Sequence, residues 1–287
     1  MNHPPVWTTP PPAGGTACDA CPAGRSAALQ RLGLRVGQAD HVVALAGNPN
    51  TGKSTVFNAL TGLRQHTGNW PGKTVTRAEG AFAYGGRRYK LVDLPGTYSL
   101  LSTSMDEQIA RDFILFGRPD VTIIVADATR LERNLNLVLQ VLEITDRAVV
   151  CVNLVDEARR HGWEVDDRQL ARDLGVPVVL TSARYGRGLP ELLQAVHEVA
   201  TGQWQARPYR LAAEPPAVRE PVRLLVQKLE AAFPGLPNAR WVALRLLGGD
   251  PSIIEAVRRG DLGRPAAPDG TSQPSPASAH QQPLPAS

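Results

Sequence analysis

The stretch "VALAGNPNTGKSTVFNALTG", Val43 to Gly62, places the pattern G-x-x-x-x-G-K-S between an apolar run and an amphipathic run. This pattern forms a phosphate-binding loop when it follows a strand and opens a helix, because glycine lets the backbone wind closely around phosphate oxygens. The helix N-terminus then adds N–H donors and a partial positive charge. Lys53 is expected to reach the β- and γ-phosphates, and Ser54 is expected to coordinate Mg²⁺. The predicted phosphate-side contacts are Gly47, Asn48, Asn50, Thr51, Gly52, Lys53, Ser54 and Thr55.

Strand-like and helix-like segments alternate from His41 to Gly202, which predicts an α/β fold with a mostly parallel six-stranded sheet. The predicted strands are residues 41–47, 76–84, 87–96, 121–128, 148–156 and 176–183. Gly85-Gly86 predicts a tight hairpin between the second and third strands, hence one antiparallel edge pair. The predicted helices are Ser54 to Leu60, Asp106 to Phe116, Leu131 to Ile144, Asp167 to Leu174, and Pro190 to Ala200. Gly117 is expected to be the left-handed C-cap of the second of these helices.

A small all-α domain is predicted after a Pro-rich linker. Apolar residues recur at helical spacing at Val222, Leu225, Val226, Leu229 and Phe233, and a second helix carries Trp241, Leu244 and Leu247. A third helix is expected between the cap Asp250 and Gly260. The predicted units are a mobile Pro/Gly-rich arm (1–40), a G domain (41–203), a linker with the helical domain (204–261) and a disordered tail (262–287).

Composition narrows the classes of protein that this chain can be. It has 287 residues, 43% of them hydrophobic, enough for one substantial core and a smaller unit. No apolar run approaches the roughly 18 to 20 residues that span a bilayer, so the chain itself is expected to be soluble and without a transmembrane segment. No secretory signal is visible at the N-terminus. A net charge of +4 with scattered basic residues argues against a nucleic-acid partner.

The cysteines are too few for a disulfide framework. Cys151 lies in an apolar strand-like run and is expected to be a small buried residue. Cys18 and Cys21 form a lone C-x-x-C in the arm. A metal or redox site and a pair of exposed thiols in a reducing cytosol are both open for that pair.

Three further motifs lie at the ends of predicted strands. In "LVDLPG", Asp93 suits a carboxylate that holds Mg²⁺ through water, and the Gly96 N–H suits the γ-phosphate. In "NLVD", Asn153 to Asp156, the carboxylate can accept both N1–H and the exocyclic amine of guanine, whereas adenine lacks that donor pair. "TSAR" can place N–H groups of Ser182, Ala183 and Arg184 near the guanine O6. Together with the phosphate loop, these motifs predict a P-loop protein that binds GTP or GDP rather than ATP.

With these motifs, the chain resembles the translation-factor-related GTPases and, within them, the N-terminal cytosolic part of the ferrous iron transport protein B (FeoB) family. The resemblance covers about His41 to Val257. It is carried by "GNPNTGKSTVFNALTG", "GNWPGKTVTRAEG", "LVDLPGTYSL", "DEQIARDFIL", "LERNLNLVLQVLE", "NLVDEA" and "GRGLPELL". "RWVALRLLGGD" is similar to the family's helical domain, which lies between the GTPase and a membrane-embedded permease.

The resemblance implies additional site residues. Thr74 is the switch-I threonine whose hydroxyl completes the Mg²⁺ site of Ser54 and Asp93, although an isolated Thr before a Val is also simply strand-like. Asn50 matches a position that binds K⁺, the alternative being a hydrogen bond within its loop. Such an ion can neutralise developing charge, so Lys53, Thr74, Gly96 and Asn50 are the expected catalytic residues. Thr97 stands where Ras carries its water-orienting glutamine, which implies slow hydrolysis. Trp70 could pack against or gate switch I, or it could be a partly exposed aromatic in a mobile loop.

The expected function is that of a slow, potassium-stimulated GTPase at the cytoplasmic face of the inner membrane. By resemblance, it couples nucleotide state to the permease of a ferrous iron uptake system. The alternatives are a ribosome- or RNA-associated GTPase and a nucleotide-responsive interaction module without useful turnover. The sequence leaves open whether the chain is a fragment or a split protein, whether iron contacts it, how it associates, and which group positions the hydrolytic water.

Overall fold

The computed structural model describes residues 29–30, 32–34, 37–62, 65–101, 104–210, 216–234, 236, 238–260 and 262. The predicted disordered tail after residue 262, most of the predicted arm with Cys18 and Cys21, and residues 211–215 of the predicted linker lie outside the described residues.

The described residues form one mixed sheet whose strand order is β2-β3-β4-β1-β5-β6-β7. The strands are β1 (His41–Gly47), β2 (Gln65–Asn69), β3 (Thr76–Tyr84), β4 (Arg87–Asp93), β5 (Val121–Asp127), β6 (Ala148–Asn153) and β7 (Val178–Leu180). Strands β4, β1, β5, β6 and β7 run parallel to one another. At one edge of the sheet, β3 pairs antiparallel with β4, and β2 pairs antiparallel with β3. The predicted fold class is confirmed, as is the hairpin at Gly85-Gly86.

The sheet contains seven strands in the described part of the chain, one more than the six predicted. The additional strand is β2, with the sequence "QHTGN". It has no apolar alternation because it lies at the sheet edge, where His66 to Asn69 are exposed. Pairing with β3 alone, from Gln65 opposite Gly80 to Asn69 opposite Thr76, makes it a strand. A strand of this kind carries no periodic signal in its sequence.

Helices fill the connections and form a final group. Their bounds are α1 (Lys53–Thr61), α2 (Met105–Gly117), α3 (Leu131–Ile144), α4 (Val155–Arg160), α5 (Asp167–Leu174), α6 (Leu189–Ala200), α7 (Pro216–Ala232), α8 (Ala239–Leu247) and α9 (Pro251–Arg259). Helix α4 begins inside the predicted fifth strand. That strand ends at Asn153 because Leu154 adopts a left-handed conformation, with φ of 63°. Gly117 is the last residue of α2 rather than its left-handed cap, a position that Arg118 takes with φ of 45°.

The core lies on both faces of the sheet, as the alternation of buried side chains along β1 shows. Val42, Ala44 and Ala46 pack with α2 and α3, whereas Val43 and Leu45 pack with α1 and α6. The last three helices share the first of these faces, through Val222, Leu229, Trp241, Val242 and Ile253. No helix in the described part of the chain combines the length and apolarity that crossing a membrane needs.

Candidate nucleotide-binding site

The phosphate loop joins β1 to α1 and contains the two predicted glycines. Gly52 has φ of 79° at the residue before α1, a left-handed conformation that glycine adopts without steric cost. A Cβ atom on Gly52 would lie 2.4 Å from Asn153 Nδ2, and one on Gly47 would lie 2.7 Å from the Val125 carbonyl oxygen. Close packing at both ends of the loop therefore excludes a larger residue.

The middle of the loop combines an exposed amide with buried polar groups. Asn50 is exposed and left-handed, with φ of 67°. Thr51 is buried, and its hydroxyl donates to the Asn48 carbonyl oxygen at 2.9 Å. Asn48 is also buried, and its side-chain Oδ1 has no hydrogen-bond partner among the described residues. The loop thus offers the Asn50 side chain as an accessible oxygen ligand, while Thr51 and Asn48 fix its backbone.

The first turn of α1 exposes hydroxyl groups beside free backbone donors. Ser54 and Thr55 are both exposed there. The first N–H groups of any helix have no partner within the helix, and they carry a partial positive charge. This end of α1 can therefore bind an anion, and the Ser54 hydroxyl can at the same time serve as an oxygen ligand of a cation.

Lys53 and Asp93 form an ion pair at the carboxyl end of two adjacent parallel strands. Asp93 ends β4 and is the register partner of Leu45 in β1. Lys53 Nζ donates to Asp93 Oδ1, and the two side chains are only 12% and 19% exposed. Burial raises the pKa of the Asp93 carboxyl, and the charge of Lys53 opposes that effect. Phosphate oxygens can replace Asp93 as partners of the ammonium, which frees the carboxylate for a hard cation.

The segment after Asp93 lies directly on the phosphate loop. The Thr97 N–H donates to the Gly47 carbonyl oxygen at 3.3 Å. A Cβ atom on Gly96 would lie 3.5 Å from the Pro49 nitrogen. The structure therefore brings Gly96, a predicted phosphate ligand, against the loop that would hold the phosphates.

Thr74 stands apart from the other predicted Mg²⁺ ligands. It is exposed in the connection between β2 and β3, and its hydroxyl has no hydrogen bond to a described residue. The connection is closed by Trp70, whose N–H donates to the Val75 carbonyl oxygen at 3.0 Å. Because Ala78 near the start of β3 pairs with Asp93 at the end of β4, this connection lies at the carboxyl end of the parallel strands, as the phosphate loop does. Thr74 thus lies at the same end of the sheet as Ser54 and Asp93, in a separate connection.

Asn153 connects the phosphate loop to the predicted base-binding loop. Its side-chain Nδ2 donates to the Thr51 carbonyl oxygen at 3.0 Å. Its Oδ1 accepts hydrogen bonds from the Ala183 N–H at 3.0 Å and the Thr181 hydroxyl at 3.2 Å. The motif "NLVD" indicated base recognition, and nothing in it signalled a bond to a residue 102 positions earlier. Asn153 is 1% exposed. Because its buried side chain bonds both loops, it fixes the spacing between them.

Asp156 lies in the first turn of α4 beside an open cavity. Its N–H donates to the Ser182 hydroxyl at 3.2 Å, and its Oδ2 lies 3.7 Å from Arg160 Nη2. The cavity has a volume of about 410 Å³ and is lined by Asp156, Arg159, Arg160, Tyr185 and Arg187. The structure therefore places the backbone of Asp156 against Ser182 and Asp156 itself at the wall of an accessible cavity.

The loop that contains Ser182, Ala183 and Arg184 is a tight turn after β7. Ala183 opens a single 3₁₀ turn, and Ser182 pairs with Arg187 across it. The N–H of Ala183 is already donated to Asn153. A guanine O6 would therefore have to share or displace that bond if Ala183 is its donor.

Comparison with known proteins agrees with this geometry. A family model described as ferrous iron transport protein B matches residues 41–196. The Fe(2+) transporter FeoB of Salmonella typhimurium is 43% identical over 213 residues, which are 72% of this chain and 27% of the relative. The cytosolic domain of T. maritima FeoB in its GDP form II has a TM-score of 0.69 and 39% identity, with 79% of this chain and 88% of that chain covered. In its GMPPNP form the values are 0.67 and 40%, with coverage of 77% and 86%.

A phosphate loop between β1 and α1, an aspartate at the end of β4 and an NLVD motif after β6 define a P-loop GTPase fold. The chain belongs to the ferrous iron transport protein B family, and the matched region is that family's N-terminal G domain. The chain spans 27% of the length of the curated relative that it matches.

Proposed function

We propose that this chain binds GTP and GDP with Mg²⁺ and hydrolyses GTP slowly. The observation that carries the proposal is the contact between Lys53 and Asp93 beside the glycine-bounded loop. Lys53, which follows β1, supplies a cation for phosphate oxygens, and Asp93, at the end of the neighbouring parallel strand β4, supplies a carboxylate for Mg²⁺. The T. maritima domains in GDP and GMPPNP forms support the choice of nucleotide.

On the phosphate side, Lys53 would bind the β- and γ-phosphates, and the Gly96 N–H would bind the γ-phosphate. The remaining predicted contacts come from the backbone and side chains of Gly47, Asn48, Asn50, Thr51, Gly52, Ser54 and Thr55. Ser54, Asp93 and Thr74 would hold Mg²⁺, and their oxygen-only donor set fits this hard cation. Thr74 would have to move to join them, which makes the Trp70–Val75 connection the mobile switch.

On the base side, the Asp156 carboxylate would select guanine, because it accepts two hydrogen bonds that adenine cannot donate. Ser182 already bonds the backbone of Asp156, which supports the placing of that carboxylate. Asn153, Ala183 and Arg184 would complete the base site.

Potassium is proposed as an additional ligand of Asn50. Asn50 is exposed and left-handed within the loop that would hold the phosphates, so its side-chain oxygen is accessible to a cation. A monovalent cation there would stabilise charge that develops in the transition state. The other groups that would act in hydrolysis are Lys53, Thr74 and the Gly96 N–H. Thr97 lacks the carboxamide that orients water in Ras, which is consistent with a slow reaction.

We also propose that nucleotide state is relayed to a membrane permease of a ferrous iron uptake system, at the cytoplasmic face of the inner membrane. Helix α2 begins at Met105, eight residues after the Thr97 contact with the phosphate loop, and its buried Arg111 bonds Asp250 Oδ2 at 3.2 Å. Asp250 caps α9 of the proposed helical domain. On this proposal, residues 41–203 form the G domain and residues 204–261 the linker and helical domain.

The test is phosphate release from GTP in potassium, sodium and monovalent-free buffers, with ATP as the control nucleotide. We expect slow release that depends on Mg²⁺, increases in potassium and does not occur with ATP. Equal release from ATP would contradict the base assignment. Nucleotide binding without any release of phosphate would indicate that the protein is a nucleotide-responsive interaction module.

A further inference from the structure

A short N-terminal segment, described at Leu29, Gln30 and Leu32 to Leu34, packs against the G domain. Leu29 and Leu34 are 1% and 0% exposed. The segment ends a helical turn, because the Leu34 N–H donates to the Leu29 carbonyl oxygen at 2.9 Å. It precedes residue 41, where the match to the family model begins. Two buried leucines on a segment of this length indicate specific docking rather than a loosely attached extension.

One surface that the segment contacts is the end of α2. A Cβ atom on Gly117 would lie 3.1 Å from Leu32 Cδ1 and 3.6 Å from Leu29 Cδ2. Glycine at the end of α2 therefore makes room for the two leucines. The segment is fitted to the helix that follows the Thr97 region.

The second surface is the start of the Trp70–Val75 connection. Gly33 has φ of 77°, and a Cβ atom there would lie 2.5 Å from Pro71 Cγ. Such a separation is shorter than any normal carbon–carbon contact. Gly33 therefore lets the segment lie directly against Pro71, four residues before Val75.

Arg77 joins the segment to this connection. Its Nη1 donates to the Leu32 carbonyl oxygen at 3.1 Å and its Nη2 to the Gly33 carbonyl oxygen at 2.9 Å. Its Cζ lies 5.3 Å from the centre of the Trp70 ring, and Nε lies 2.7 Å from Glu79 Oε1. One guanidinium thus binds the segment, the switch aromatic and Glu79 of its own strand β3 together.

Trp70 depends on these contacts for its position. It is 3% exposed and packs edge-on against Phe113 of α2 with ring centres 5.5 Å apart. Its indole Nε1 is buried and has no hydrogen-bond partner among the described residues. Burial of an unpaired donor is unfavourable, so packing from Phe113 and from Arg77, which the N-terminal segment binds, has to offset that penalty.

We infer that the N-terminal segment is an intramolecular regulator that holds the Trp70–Val75 connection in its resting position through Gly33 and Arg77. Movement of Thr74 towards a bound nucleotide then requires these contacts to loosen. The role in nucleotide exchange rests on the proposed function, since that function makes this connection the switch. The docking of the N-terminal segment does not rest on the proposed function.

Amide hydrogen exchange on the full chain without nucleotide tests the docking. Gly33→Ala introduces the clash with Pro71, whereas Gly37→Ala is a matched control, with φ of 61° and nothing within 4 Å of its Cβ position. We expect exchange at residues 70–75 to increase roughly tenfold in Gly33→Ala relative to Gly37→Ala. Equal exchange in the two variants would overturn the inference.

A second variant covers the case in which Gly33→Ala unfolds, which faster exchange across β5 and β6 would reveal. Arg77→Lys keeps the charge but lacks the planar fork whose two nitrogens bind the Leu32 and Gly33 carbonyl groups, and we expect the same local increase at residues 70–75. GDP release then tests the regulation, with several-fold faster release expected in Gly33→Ala than in Gly37→Ala. Faster exchange with equal release rates would overturn the regulatory role. Absence of GDP binding in all variants would instead refute the proposed function.

Discussion

The side chain of Asn153 bonds the carbonyl oxygen of Thr51 at 3.0 Å, so the end of β6 is fastened to the phosphate loop. The same side chain accepts the N–H of Ala183. One buried amide therefore sets the distance between the proposed phosphate and base sites. A nucleotide that occupies both sites needs that distance to be fixed before it binds, because preorganisation lowers the cost of binding.

Replacement of Asn153 by alanine should damage stability and nucleotide binding together. It leaves the Thr51 carbonyl and the Ala183 N–H buried without their partner, which costs about 1–3 kcal/mol of the free energy of unfolding. We expect at least a tenfold weaker affinity for GDP, measured by calorimetry, and a lower denaturant midpoint. Asn153→Asp keeps the acceptor for Ala183 but cannot donate to Thr51. An alanine variant with unchanged GDP affinity would contradict the connecting role.

Asp156→Asn should move the preference from guanine towards xanthine nucleotides. The variant exchanges a double acceptor for a group that can donate to the second xanthine oxygen. Competition between GDP and XDP for the chain measures the change. Glu157→Gln removes the same charge one residue later on an exposed side chain and should leave guanine selectivity intact. Guanine preference that survives in Asp156→Asn would show that another group reads the base.

Asn50→Gly should abolish the dependence of GTP hydrolysis on potassium while GDP binding remains. Glycine is the informative substitution because Asn50 has φ of 67°, and alanine in that conformation would add a backbone penalty of about 1 kcal/mol. Rates in potassium and sodium should then become equal. Stimulation by potassium that persists in the glycine variant places the ion at other ligands.

The parts of the fold with strong local signals could be predicted from sequence. Strand β1, helix α3 and the hairpin at Gly85-Gly86 follow from apolar periodicity and turn chemistry. Helix α4 could not be predicted from sequence, because "NLVD" continues an apolar run. Only the left-handed conformation of Leu154 ends the strand there. Gly117 was predicted as a left-handed cap, whereas its actual constraint is the contact with Leu32, which depends on tertiary packing.

The candidate site divides in the same way. Each phosphate or base motif is an unbroken stretch of sequence, so its residue types and their spacing are enough to predict its chemistry. The buried position of Trp70 was left open between packing and exposure, and the structure shows it packed on Phe113. Contacts between distant segments, such as Arg77 with Leu32, leave no periodic trace in a single sequence.

Cys151 should be unreactive in the folded chain. Complete burial raises the pKa of its thiol to about 12, so at pH 8 only about one molecule in ten thousand carries the reactive thiolate. Alkylation at pH 8, followed by mass spectrometry of the peptide with Cys151, should show modification only after denaturation. Rapid modification of the native chain would contradict the burial.

The same thiol should make stability depend on alkaline pH. The folded pKa of about 12 exceeds the ordinary value of 9.0, so the unfolded chain releases this proton first. The thiol's contribution is fully present below pH 9 and is lost as the pH rises from about 9 towards 12. The difference in stability between the native chain and Cys151→Ala should therefore shrink across that window, and a constant difference would refute the shift.

Arg111 and Asp250 should be essential to the attachment of the last helices. Arg111 is 1% exposed and also donates to Asp112 at 2.7 Å and to the Ser252 hydroxyl at 2.9 Å. Arg111→Ala removes the hydrogen-bonded charge partner of Asp250, whose side chain is 8% exposed, and should cost about 3–5 kcal/mol of the free energy of unfolding. Urea unfolding followed by circular dichroism measures this loss, and a loss below about 1 kcal/mol would contradict the pairing.

Asp250→Asn removes the ion pair but keeps the helix cap, because asparagine caps a helix as well as aspartate does. The Asp250 carboxylate at present accepts the N–H groups of Ser252 and Ile253 as well as the Arg111 hydrogen bond. We expect this variant to lose less stability than Asp250→Ala, which removes both interactions. If α2 relays nucleotide state, amide exchange in α9 should differ between GDP and GMPPNP in the native chain and become equal in Asp250→Asn. A difference that survives in this variant would mean that the relay passes through the apolar contacts of α2 and α3 instead.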